Sequence, residues 1–150
     1  MADINEIRAG EVAVEPPAAR DAGLEFIGRI RTPWKTRAGT PRQGNDDGPI
    51  CQIEVFDKWV PALKGLEEFE TIFVLYWLHR SRRDLVTQSP HGNGATTGTF
   101  ALRSPVRPNP VGLSSAKLVG IEGNIVSVRG LDCLDGTPLI DIKPDRCHHS

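Results

Sequence analysis

Residues 103–110 of this 150-residue sequence, RSPVRPNP, hold two arginines, a serine and an asparagine among three prolines. Proline removes a backbone donor and fixes φ, so the run cannot join a central strand. What it can do is hold side chains in a fixed frame, with the ordering entropy already spent before a ligand arrives. Arg103 and Arg107 supply planar donor forks suited to a carboxylate, a phosphate or a stacked base. Asn109 carries a donor and an acceptor on one amide, which matches the edge of a nucleobase. Extended to Ser114, the segment reads as the working site and not as a piece of the core.

Charge is gathered near it. Residues 71–120 contain Arg80, Arg82, Arg83, Arg103, Arg107 and Lys117 against the single acid Asp84, while the whole chain carries a net charge of −1. Residues 26–45 add Arg29, Arg31, Lys35, Arg37 and Arg42 with no acid. If the two stretches meet they form a local positive face on a nearly neutral protein. The paired carboxylates Asp132 and Asp135 fit turn chemistry or ligand hydrogen bonding better than acid/base hydrolysis. Cys147-His148-His149 resembles a metal-binding fragment but has no partners at ligand spacing, so no metal is expected.

The elements that position these groups are short. Residues 24–31 (LEFIGRIR) alternate apolar and polar, a first strand with Gly28 as a bulge or close-approach point. Residues 34–49 read as a long loop, and 51–56 (CQIEVF) as a second strand. Asp57 reads as the N-cap of a short helix with Trp59, Val60 and Leu63 inward and Gly65 as its stop. Residues 71–79 (TIFVLYWLH) form a central strand expected to be buried on both faces, running straight into His79 and Arg80. A polar loop over 84–97 and a strand over 98–103 lead to the site segment. Beyond it, 113–121 and 124–129 make a hairpin turning at Glu122-Gly123, then a turn-rich corner over 131–137 and a last strand over 138–142.

The expected fold class is therefore mainly β: a small closed or nearly closed barrel of six to seven strands, with one short helix and long functional loops. Composition sets residues 1–22 apart as a flexible arm, rich in Ala, Glu and Pro, places the barrel domain over 23–145, and leaves 146–150 as a tail. The longest apolar run, 72–78, is far short of the ~20 residues of a membrane helix, so no membrane partner is expected. The N-terminus has no apolar leader, and Cys51, Cys133 and Cys147 are an odd number without regular spacing. Both point to a reducing, cytoplasmic setting.

The site segment also carries a resemblance. RSPVRPNPVGLS is similar to the signature of the TsaA-like family, whose characterised bacterial members, of TrmO type, are tRNA methyltransferases. The remaining motifs follow in order: IGRIRTPW at 27–34, TPRQG at 40–44, the run 53–80 ending in YWLHR, and LDCLDGTPLIDIKP at 131–144. Asp145 stands where the family commonly has an aromatic residue, often tyrosine. The resemblance implies a barrel that binds S-adenosylmethionine, forms a homodimer, and methylates N6 of threonylcarbamoyl-adenosine beside a tRNA anticodon.

On that resemblance the residues take roles. Arg103 or Arg107 would hold the cofactor carboxylate, with Ser104 beside them and Asn109 at the adenine edge. Asp135 would accept from a ribose hydroxyl or the amino group, within the tight Asp135-Gly136-Thr137 turn, and Arg42 and Gln43 would add further contacts. The substrate nitrogen is a poor nucleophile, because its lone pair is delocalised, so His79 and Arg80 are the catalytic candidates, as base and as charge-stabilising cation. Two other readings compete: a non-catalytic S-adenosylmethionine or nucleotide-binding barrel with a regulatory role, and a hydrolase using His79 and Asp135.

Overall fold

The computed structural model describes residues 5–36, 45 and 47–146. In chain order the described strands are β1 (Val12–Ala13), β2 (Gly28–Arg31), β3 (Cys51–Val55), β4 (Thr71–Trp77), β5 (Leu85–Gln88), β6 (Thr97–Gly98), β7 (Val111–Glu122), β8 (Ile125–Arg129) and β9 (Thr137–Pro144). They fall into two compact units. One takes its residues from Met1–Gly23 and Leu78–Val111, the other from Leu24–Trp77 and Gly112–Ser150. The division groups Leu78–Val111 with the N-terminal residues rather than with the barrel.

The second unit is the expected barrel, closed through six strands in the order β2-β3-β8-β7-β4-β9. Alternation builds it. Along β3 the residues Cys51, Ile53 and Val55 are buried, while Gln52 and Glu54 face out. Ile30 pairs with Ile53 and Ile53 with Val126, so three side chains with no exposed surface form one row across three strands. Burying each such side chain stabilises the fold by about 1.5–3 kcal/mol.

β4 departs from expectation. Its burial alternates, with Ile72, Val74 and Tyr76 inside and Thr71, Phe73, Leu75 and Trp77 half-buried. A continuous apolar run suits a strand covered on both faces; in a barrel only one face points inward. Close approach explains two glycines. A Cβ at Gly28 would run into the Glu54 carbonyl, and one at Gly112 into the Tyr76 ring.

Smaller differences have local causes. The first strand starts at Gly28 rather than residue 24; Leu24 and Phe26 are exposed, at 56% and 40%. The short helix is a 3-10 helix over Asp57–Leu63 with Pro61 inside it, where the missing N–H disfavours α geometry. Its N-cap is Phe56, with no side-chain cap bond, and Asp57 lies in the first turn. In the hairpin Glu122 pairs with Ile125, so the turn is Gly123-Asn124, one residue later than the sequence suggests. The last strand extends to Pro144, pairing with Ile72.

The first unit contains a three-stranded sheet, β1-β5-β6. β5 lies inside a stretch that reads as loop, because only Leu85 and Gln88 of its four residues are buried. The strand expected over 98–103 is reduced to two residues and a 3-10 turn over Thr99–Ala101. Residues that composition marks as an arm are tied in by polar contacts: Asn5 Nδ2 donates to the Arg80 carbonyl (2.6 Å), and the Arg82 N–H donates to Asn5 Oδ1 (2.8 Å).

Candidate functional site

The proline-bearing segment is held from three directions, all within the first unit. Val106 is its buried anchor, at 1% exposure. The buried amide of Gln88 donates from Nε2 to the Val106 carbonyl (2.6 Å) and to Thr99 Oγ1 (3.0 Å), and Thr99 Oγ1 donates to the Leu85 carbonyl (2.8 Å). Inside the loop the Val106 N–H donates to Ser104 Oγ (3.2 Å). Arg83 fixes the far end, donating from Nε to the Pro108 carbonyl (2.6 Å) and from Nη2 to Asn109 Oδ1 (3.2 Å).

The two arginines of the segment are not equivalent. Arg107 turns back and donates from Nη1 to the carbonyls of Leu102 (2.8 Å) and Ser104 (3.1 Å), so its fork braces the loop. Arg103 is exposed and, with Ser104, lines a cavity of about 290 Å³. Arg8, Glu11, Gln88 and Ser89 complete its polar walls. Arg8 Nη1 donates to the carbonyls of Ser89 (2.9 Å) and Pro90 (3.2 Å), while Glu11 accepts from the N–H groups of Arg8 (2.7 Å) and Ser89 (2.9 Å). Sequence reasoning passes over Arg8 and Glu11. The only trace of them is an acid three residues after a base in a stretch that otherwise looks unstructured.

His79 and Arg80 follow β4 in sequence but belong to the first unit, and both are exposed. The His79 side chain has no hydrogen bond among the described residues. Arg42 and Gln43 lie outside the described residues, as do Cys147, His148 and His149. Among the described residues no group of three or more His, Cys, Asp or Glu side chains is placed to hold a metal ion, and no helix is long and apolar enough to cross a membrane.

The remaining candidates belong to the barrel. Asp135 Oδ1 accepts from the Thr32 N–H (3.0 Å), its own N–H donates to the Trp34 carbonyl (2.7 Å), and Lys35 Nζ stands 3.9 Å from Oδ2. The Gly136 N–H donates to the Ile30 carbonyl (2.7 Å), and Thr137 Oγ1 donates to the Leu134 carbonyl (2.6 Å). This turn therefore clamps the exit of β2 to the entry of β9, leaving Gly136 exposed at its tip.

Ser114, taken from sequence as the end of the site segment, is buried in the barrel. It shares a 2.8 Å hydrogen bond with the Tyr76 hydroxyl, which donates to Asp132 Oδ1 (3.0 Å). Burial, and then the Asp132 charge, push the Tyr76 phenol well above its ordinary range. The same two causes push the neighbouring Cys133 thiol up to about 12. The segment therefore divides at Val111: residues up to there group with the first unit, and Gly112 onward with the barrel.

Comparison with known proteins supplies the family. The sequence model of the tRNA-methyltransferase O N-terminal domain matches residues 29–146. A Rhizobium radiobacter protein named "Probable S-adenosyl-L-methionine-binding protein VirR" is 56% identical over 140 residues, covering 93% of this chain and 80% of its own length. A Mus musculus protein named tRNA (adenine(37)-N6)-methyltransferase is 36% identical over 92% of this chain, which spans only 32% of that enzyme. The crystal structure of TrmO from P. aeruginosa superimposes with a TM-score of 0.70 at 30% identity, over 88% of this chain and 58% of that one. The chain belongs to the tRNA-methyltransferase O N-terminal domain family.

Proposed function

We propose that this protein binds S-adenosylmethionine and methylates adenine N6 in tRNA, with threonylcarbamoyl-adenosine beside the anticodon as the substrate nucleoside. The observation that carries the reading is the braced Arg103–Asn109 frame, which presents Arg103 and Ser104 to a polar cavity. The cavity, at about 290 Å³, sits at the small end of ligand sites. Its donors fit a carboxylate, and the Glu11 carboxylate fits a hydroxyl; among the described residues no aromatic ring lines it to stack on adenine. The family membership, and the names borne by the bacterial and mouse relatives, support the cofactor and the tRNA substrate.

When bound, the cofactor supplies an activated methyl group, so the protein has mainly to align donor and acceptor and exclude water. In this reading Arg103 takes the carboxylate, with Ser104 beside it, while Arg107 and Asn109 preserve the frame that aims them. Arg42, Gln43 and the Asp135-Gly136-Thr137 turn are retained as further contacts. His79 accepts the N6 proton and Arg80 offsets the charge that develops as it leaves. A cytoplasmic homodimer completes the reading, and light scattering on the purified protein tests the dimer.

Nucleoside mass spectrometry of tRNA from cells lacking the gene is the deciding experiment. Loss of methylated threonylcarbamoyl-adenosine is the expected result. An unchanged peak, with S-adenosylmethionine still bound in a calorimetric titration, would instead establish the binding-module reading. That second reading is favoured by one observation: His79 has no hydrogen-bonded orienting partner among the described residues. Arg103→Ala should weaken S-adenosylmethionine binding by about 1–3 kcal/mol. An unaltered titration would take Arg103 off the site.

A further inference from the structure

A second cavity, of about 390 Å³, lies within the first unit and uses none of the residues assigned above to cofactor or catalysis. Arg20, Arg82, Arg83 and Asp84 line it, with Asn5 and Ser81. Among the described residues three guanidinium groups thus meet one carboxylate at the wall, and that carboxylate is engaged: Arg82 grips Asp84 with two parallel bonds, Nε to Oδ1 (2.7 Å) and Nη2 to Oδ2 (3.0 Å). The third nitrogen of Arg82, Nη1, donates to the Asn5 carbonyl (2.8 Å), so this residue is scaffold.

Arg20 differs from it. Its side chain is exposed and forms no hydrogen bond or ion pair among the described residues. It stands close enough to Arg83 for its charge, after the effect of burial, to push the Arg83 guanidinium below its ordinary range. Two like charges held at one cavity raise its positive potential, and an anion seated there would relieve the repulsion.

We propose that this cavity is a seat for a backbone phosphate of the RNA substrate, with Arg20 as its principal ligand. The inference rests on the tRNA reading above. Among the described residues the lining favours a phosphodiester over a nucleobase or the cofactor: none of those at the wall carries an aromatic ring to stack on a base, and Pro16 is the one apolar residue there. Phosphate contacts position a nucleic acid without reading its sequence, and guanidinium forks are well suited to the task. Arg20 and Asn5 also precede residues 29–146, the stretch matched by the family model. The seat thus joins Arg82, Arg83 and Asp84 of the matched stretch to Asn5 and Arg20 of the segment that precedes it.

The test is fluorescence anisotropy of the full chain with a labelled anticodon stem-loop RNA over a series of salt concentrations, alongside calorimetric titration with S-adenosylmethionine. Losing one phosphate contact should weaken RNA binding roughly three- to ten-fold at low salt. It should also flatten the log–log salt dependence by about 0.7–0.9. Arg20→Ala is expected to show both changes and wild-type cofactor affinity, and Arg20→Lys to recover most of the salt slope. An Arg20→Ala protein with the wild-type salt slope would overturn the proposal while leaving the tRNA reading intact. Loss of cofactor affinity in that variant would overturn it by making the cavity a carboxylate seat. A wild-type protein that binds no RNA would remove both.

Discussion

The two compact units are held together by different means. In the barrel, the buried side chains are overwhelmingly apolar, and the backbone polar groups pair in a closed circuit of ladders. In the unit of Met1–Gly23 and Leu78–Val111, few apolar side chains are buried, chiefly Leu85, Val106 and Pro110. Side chains satisfy backbone groups there instead: Gln88 on Val106, Arg107 on Leu102 and Ser104, Arg8 on Ser89, Arg83 on Pro108. A hydrophobic interior tolerates exchange among residues of similar volume, whereas a polar anchor depends on one donor at one carbonyl. The proline-bearing frame of residues 103–110 is of the second kind.

The largest effect should come from the barrel. Ile53→Ala empties the middle of the Ile30–Ile53–Val126 row and should cost about 2–5 kcal/mol in denaturant unfolding. A loss under 1 kcal/mol would mean that the row is not close-packed, and the contrast would weaken. Next is Gln88→Ala, which leaves the Val106 carbonyl and Thr99 hydroxyl short of a donor, a cost of about 1–3 kcal/mol. Its readout is faster amide exchange over residues 102–110; unchanged protection there would show that the frame does not hang on Gln88.

The smallest effect sharpens the barrel side by pH. The Cys133 thiol ionises near 12 when folded, against an ordinary value of 9.0, because burial, and then Asp132, disfavour the thiolate. Its contribution to stability is whole below about pH 9 and is lost as pH rises toward 12, by at most about 1.4 kcal/mol per unit. Tyr76 shifts in the same direction and adds to the loss above its own ordinary value of 10.0. At pH 8 the folded Cys133 should resist alkylation, since burial keeps the thiol protonated and shields it from reagent. Rapid modification of Cys133 in the native protein would contradict that burial.

This difference in construction also decides what could be read in advance. Alternation made β3 and the β7–β8 hairpin visible, because a half-buried strand has a period of two, whereas β4 was visible only as an apolar run whose one-sided burial it concealed. β5 was invisible, since its LVTQ buries a glutamine for its hydrogen bonds. So was β1, in an arm tied down by Asn5, Arg8 and Glu11 rather than by apolar residues. In the site segment the prolines announced a rigid frame, but not which arginine braces it. Arg103 and Arg107 have the same chemistry, and only the carbonyls of Leu102 and Ser104 distinguish them. The Tyr76–Ser114–Asp132 cluster joins residues 38 and 56 positions apart, beyond any local pattern.

Closure of the barrel has one more consequence. A sheet that ends on itself presents no row of unpaired amides, and β1 and β6, at the margins of the small sheet, are only two residues long. Among the described residues neither sheet is a template on which another strand can grow. A macromolecular partner would have to be recognised through side chains and loop surfaces, where single substitutions tune affinity without recruiting aggregation.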